Sequence, residues 1–104
     1  ANDSDSKAFY GAIVTILKNK KILNLSEEIE EIISDYSIKI RKAIADNTKR
    51  DWKNNEMVHK AIHRILDDYL FEIFDEINIE VNNDNIHIID LMIDEIMKIA
   101  IVRY

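Results

Sequence analysis

Apolar side chains recur every three or four residues over most of this chain, in long runs separated by short polar breaks, and that period predicts helices. The second run is the clearest. Ser26 stands where an N-cap belongs, Glu27, Glu28, Glu30 and Glu31 crowd the positive end of the helix dipole, and Lys39, Arg41 and Lys42 lie toward the negative end. Its apolar face is Ile29, Ile32, Ile33, Tyr36, Ile40, Ala43 and Ile44, and it is expected to stop near Asp46–Asn47. An earlier helix is predicted from about Lys7 to Leu17 behind a capping pair, Asp5–Ser6. Phe9, Ile13, Ile16 and Leu17 form its inner face, and a weaker continuation runs from Lys18 to Leu23.

A third helix opens after Asn54–Asn55 and sets Val58, Ile62, Ile65, Leu66, Tyr69, Ile73, Phe74 and Ile77 against a charged face that includes Lys60, Arg64, Asp67, Asp68, Glu72, Asp75 and Glu76. Ile77-Asn78-Ile79-Glu80-Val81 alternates like a strand, but a lone strand is unstable in water, so a frayed helix end is expected there. Asn82–Asn85 then breaks the chain and is expected to cap a fourth helix. In that helix Ile86, Ile89, Ile93, Ile96 and Ala100 form one stripe, while Ile88, Leu91, Met92, Ile99 and Val102 spread around much of the remainder. Asp90, Asp94, Glu95, Lys98 and Arg103 keep a polar strip. A face this wide either fills the centre of its own bundle or is half covered by another protein. The expected fold is all-α, a four-helix or irregular multi-helix bundle forming a single domain over residues 1–104.

Composition narrows this picture. A chain of 104 residues buries enough surface for one core without a metal or disulfide. Cysteine is absent, which removes disulfide frameworks and thiolate zinc sites and is compatible with a reducing cytosol; the cytoplasm is the expected compartment. There is no proline and one glycine, Gly11, inside the first helix, so Asn, Asp and Ser must punctuate the elements. No window approaches about 18 uncharged apolar residues, and Ala1–Asp5 has neither a basic nor an apolar segment, so no membrane span or signal peptide is expected. The first residue is not Met, and the chain is expected to be a piece of something longer.

Charge is uneven. The net −6 resolves into +2 for residues 1–25, −5 for 26–38, +4 for 39–53 and −7 for 54–104. The total is not that of a nucleic-acid binder. The local basic group Lys39, Arg41, Lys42, Lys49, Arg50 and Lys53 supplies candidate phosphate contacts, against the plainer reading of a helix C-terminus matched to its dipole. Glu56, His59, His63 and Asp67 share a face of the third helix, but no glutamate follows the first histidine as in the zinc-peptidase motif, and a solvated, ion-paired face is the simpler account. Adjacent acids such as Asp67-Asp68 and Asp94-Glu95 point apart on a helix, and one glycine cannot build a phosphate cradle. No catalytic, cofactor-binding or metal-ligating residue is assigned.

The joint between the second and third helices is more specific. It holds the one tryptophan, Trp52, whose ring should be buried against a neighbouring helix with its N–H on an acceptor. Phe9-Tyr10-x-Ala12-Ile13, then Arg41-Lys42-Ala43-Ile44-x-x-Asn47, then Asp51-Trp52-x5-Val58 and Lys60-Ala61-Ile62-His63-Arg64-Ile65-Leu66 ending at Tyr69 resembles the C-terminal helical domain of the motor (restriction) subunit of type I restriction-modification enzymes. Asn47, Asp51, Trp52 and Val58 are its sharpest element. Family members often carry a Gly/Pro turn after Tyr69, where Leu70–Phe74 here continues the helix, and Asp67 and Asp68 stand where Lys or Arg is usual.

The resemblance implies a large parent subunit, an ATP- and Mg²⁺-dependent DNA translocase and endonuclease, none of whose catalytic motifs lies in these residues. It implies that this region docks the motor onto the methyltransferase core of modification and specificity subunits, reaching DNA through the whole complex. Met92, Ile99 and Val102 are the candidate docking residues. The alternative is a direct DNA-contacting element that uses the basic group.

Overall fold

The computed structural model describes residues 2–22 and 24–104. Four α-helices follow one another: α1 (Asn2–Asn19), α2 (Glu27–Asn47), α3 (Glu56–Glu76) and α4 (Ile86–Arg103), with a single 3₁₀ turn, Trp52–Asn54, between α2 and α3. Each helix packs on the next, and α4 returns to pack on α1, so the four form a closed ring. Among the described residues there is no strand, and no helix is long and apolar enough to cross a membrane. The longest helices have 21 residues, about 31 Å at 1.5 Å per residue, so the bundle is one helix long with its connections gathered at two poles.

The periodic residues fill the centre. Phe9, Ile13 and Leu17 of α1, Ile33, Ile40 and Ile44 of α2, Leu66, Leu70, Ile73 and Phe74 of α3, and Met92, Ile93, Ile96 and Ala100 of α4 are fully buried. Each large side chain of this kind contributes about 1.5–3 kcal/mol relative to exposure. Among the described residues, one buried polar residue, Ser37, interrupts the core. The Ser37 hydroxyl donates to the Ile33 carbonyl at 2.7 Å, so it is satisfied within its own helix.

The ends of the helices differ from expectation in four places. Asp5 and Ser6 do not cap α1, which already begins at Asn2; they lie within its first turns. The expected continuation toward Leu23 stops at Asn19, and Leu23 itself lies outside the described residues. Lys21 takes the left-handed conformation (φ 53°), its N–H bonds to Lys18 and the Ile22 N–H reaches back to the Leu17 carbonyl at 3.3 Å. This is a Schellman stop, sealed by half-buried Ile22.

The same device ends α3 in place of fraying. Asn78 is left-handed (φ 62°), bonds to the Asp75 carbonyl, and Ile79 N–H donates to Phe74 at 2.8 Å. At the fourth helix, Asn85 occupies the N-cap position but its side chain serves the loop: Oδ1 accepts from Asn82 N–H at 2.8 Å and Nδ2 donates to the Glu80 carbonyl at 2.9 Å. By contrast Ser26 and Asn55 cap α2 and α3 as expected, accepting from Ile29, and from Met57 and Val58.

The glycine is therefore misplaced relative to its usual use. Gly11 sits in a helix with nothing within 4 Å of an added Cβ, while among the described residues the left-handed positions carry Lys21, Asp51 and Asn78. Gly11→Ala and Lys21→Gly should each stabilise the chain by about 0.5–1 kcal/mol in a urea titration. A loss of stability in Gly11→Ala would show that something occupies the space beside it.

Candidate functional site

The α2–α3 joint is built from local hydrogen bonds. At the end of α2, Asn47 Nδ2 donates to the Ala43 carbonyl at 2.7 Å and Thr48 Oγ1 to the Ile44 carbonyl at 2.8 Å, folding both side chains back onto the helix. Asp51 turns the chain in the left-handed region (φ 61°), and the 3₁₀ turn then drops Trp52 into the core at 3 % exposure. Asn55 starts α3, and Val58 packs half-buried against the core. The joint residues Asn47, Asp51, Trp52 and Val58 thus each have a structural task. One expectation fails here: the Trp52 Nε1–H is buried without a hydrogen-bond partner.

His59 completes the joint. Its ring lies 5.3 Å from the Trp52 ring, tilted by 35°, and its Nε2 sits 2.9 Å from the Lys53 carbonyl, to which it donates when protonated at that nitrogen. Glu56, His63 and Asp67 line the same shallow surface of α3. Among the described residues no group of three or more His, Asp or Glu is placed to hold a metal ion.

The basic group does not act as one surface. Lys39 folds over the ring of Tyr36, its Nζ 4.5 Å from the centroid, and Arg41 is half-buried with its Nε unpartnered. Lys42 is exposed on α2. Lys49, Arg50 and Lys53 instead gather at the joint, where with Thr48, Trp52 and Tyr104 they line a cleft of about 350 Å³.

The docking candidates also separate. Met92 is fully buried, so it belongs to the core and cannot meet a partner without unfolding α4. Ile99 is half-buried and Val102 is 84 % exposed. Leu91, one of the residues that spread the apolar face of α4, is exposed and belongs with these two. Positions 91, 95, 99 and 102 share one face by helical spacing, and Leu91 and Ile99 form one wall of a cleft of about 600 Å³ whose other wall is Gly11, Ala12, Thr15 and Ile16 of α1. The spacing by four was visible in sequence; which side of α4 faces outward was not.

Two polar clusters hold the helices in register. Tyr36 of α2 lies between Glu72, at 3.3 Å, and Glu76 of α3, donating its hydroxyl toward them, with the Tyr69 ring edge-on at 6.0 Å. The hydrogen bond to Glu76, burial and the charge of Glu72 push its phenol well above the ordinary range. At the other pole, Arg103 donates to Asp5 at 2.7 Å and to Ser4 at 3.1 Å, and the Tyr104 hydroxyl donates to the second Asp5 oxygen at 2.7 Å. The Arg103 and Tyr104 hydrogen bonds hold the Asp5 carboxyl below its usual range, while burial and the Asp5 hydrogen bond push Tyr104 up to about 12. Sequence gave no signal for this pairing across 98 and 99 residues.

Trp52→Ala should cost about 3–5 kcal/mol by denaturant unfolding, and a cost below about 1 kcal/mol would show the ring to be exposed in solution. For Tyr104, a phenol raised from 10.0 to about 12 favours the neutral folded form, so its contribution is complete below pH 10 and is lost as pH rises toward 12. The stability margin of the chain over Tyr104→Phe should be flat below pH 10 and shrink between pH 10 and 12. A margin independent of pH would separate Tyr104 from Asp5.

In comparisons with known proteins, no family model, no curated protein and no solved structure matches this chain.

Proposed function

We propose that this chain is a helical assembly domain of the motor subunit of a type I restriction enzyme, docking that subunit onto the methyltransferase core formed by the modification and specificity subunits. The order of residues from Phe9 to Tyr69, with Asn47, Asp51, Trp52 and Val58 at its centre, supports the family half of this reading. The observation that carries the docking half is the outward line of exposed Leu91 and Val102 with half-buried Ile99 on α4, in which Leu91 and Ile99 face the small residues of α1 across an open cleft. An apolar edge beside a cleft between two helices suits insertion of a partner's side chains. ATP and Mg²⁺ would be handled by the parent's motor domains, and DNA would be met by the assembled complex. The chain itself contributes binding and no chemistry.

The test is competition for the methyltransferase core. The folded chain, at micromolar concentration, should displace the motor subunit from that core. Leu91→Asp and Val102→Asp should weaken the competition by about tenfold or more while leaving helical circular dichroism intact, whereas Met92→Asp should lose helicity. A folded chain that does not compete removes this reading.

A further inference from the structure

Among the described residues, two buried side-chain polar atoms lack a partner, Arg41 Nε and Trp52 Nε1, and both are N–H donors. Both belong to the same pole of the bundle. Trp52 and Tyr104 line the joint cleft, and Arg41 is close enough for its charge to act on the Tyr104 hydroxyl. Buried donors rarely go unpaired, and two of them sit together at this pole. It also has an excess of cations. Lys49, Arg50 and Lys53 open onto the cleft, exposed, and among the described residues none forms an ion pair; the pairs present are Lys98–Glu95 and Arg103–Asp5.

These cations are not spent on the helix end. The side chains that donate to the end of α2 are Asn47, to Ala43, and Thr48, to Ile44; among the described residues no side chain of Lys49, Arg50 or Lys53 is hydrogen-bonded to it. The opposing charge in the cleft is Asp51, which leaves a local balance of two positive charges in a chain whose total is −6. The cleft, at about 350 Å³, has room for a tetrahedral oxyanion. Two ammonium groups and a guanidinium fork are the donors such an anion takes.

We propose that the joint cleft is a phosphate-binding site, with Lys49, Arg50 and Lys53 as the charged donors and Trp52 as its wall. It does not depend on the docking reading, because the α1–α4 edge that carries that reading shares no lining residue with it. The phosphate has two sources of the same chemistry, a free phosphate group or the backbone of a nucleic acid.

Trp52 is the one tryptophan of the chain, so its fluorescence reports on this cleft directly. Inorganic phosphate and a short mixed-sequence DNA duplex are titrated separately into the chain, with the melting midpoint followed as a second readout. A saturable change with phosphate, or with duplex alone, supports the site and identifies the source. For the duplex the log–log salt slope should be about −2.7 for three contacts. Replacing Lys49, Arg50 and Lys53 by Gln, all exposed and so neutral for folding, should weaken binding about tenfold or more, and Asp51→Asn, which keeps a residue tolerant of the left-handed turn, should tighten it about threefold. No saturable response with either probe, in fluorescence or melting, or a response that these variants leave unchanged, overturns the proposal.

Discussion

Closure of the ring between α1 and α4 is the contact on which the rest of the structure depends. The other three seams join helices that are neighbours in sequence and can form as hairpins, each closing a short loop at modest entropic cost. The α1–α4 seam joins the first of these helices to the last. Until it forms, Phe9, Ile13 and Leu17 have α2 on one side and water on the other, and Met92, Ile93 and Ile96 are covered by α3 alone. Burial in the centre is therefore cooperative: the last seam completes the environment of side chains contributed by all four helices.

Polar groups decide which arrangement of these oily helices is reached. Isoleucine stripes pack with little directional preference, so α2 and α3 could slide or rotate against one another at small cost. The Tyr36 hydroxyl, held between Glu72 and Glu76, fixes their offset, and Asp5 with Arg103 and Tyr104 does the same for α1 and α4. Each cluster lies at the margin of the core, where water tolerates the charges and the hydrogen bonds still select one geometry.

What could be read from sequence follows the range of the forces involved. The bounds of α2 and the start of α3 are legible because Ser26 and Asn55 act on backbone groups two or three residues away. The stop at Asn78 is obscured because alternation in residues 77–81 mimics a strand, although the same apolar residues serve a Schellman seal. Along α4 nearly every direction is apolar, so periodicity cannot tell buried Met92 from exposed Leu91; only the neighbours' positions can. The basic group reads as one patch in sequence, yet Lys39 is drawn to an aromatic ring and Arg41 into the bundle, and three cations remain at the joint. Pairing of Asp5 with the far end of the chain follows from ring closure and has no local signature.

Ring closure also bears on how the covalent thread could be re-routed. Ser4 and Asp5 are within hydrogen-bond reach of Arg103, so the start of α1 and the end of α4 share one pole, while the polar loop Asn82–Asn85 lies at the opposite pole with its residues at or near the surface. Linking the end of α4 to the start of α1 and opening that loop would leave the four helices and their seams uninterrupted. The same geometry lets the bundle be inserted into a surface loop of a host protein, entering and leaving through a single narrow base.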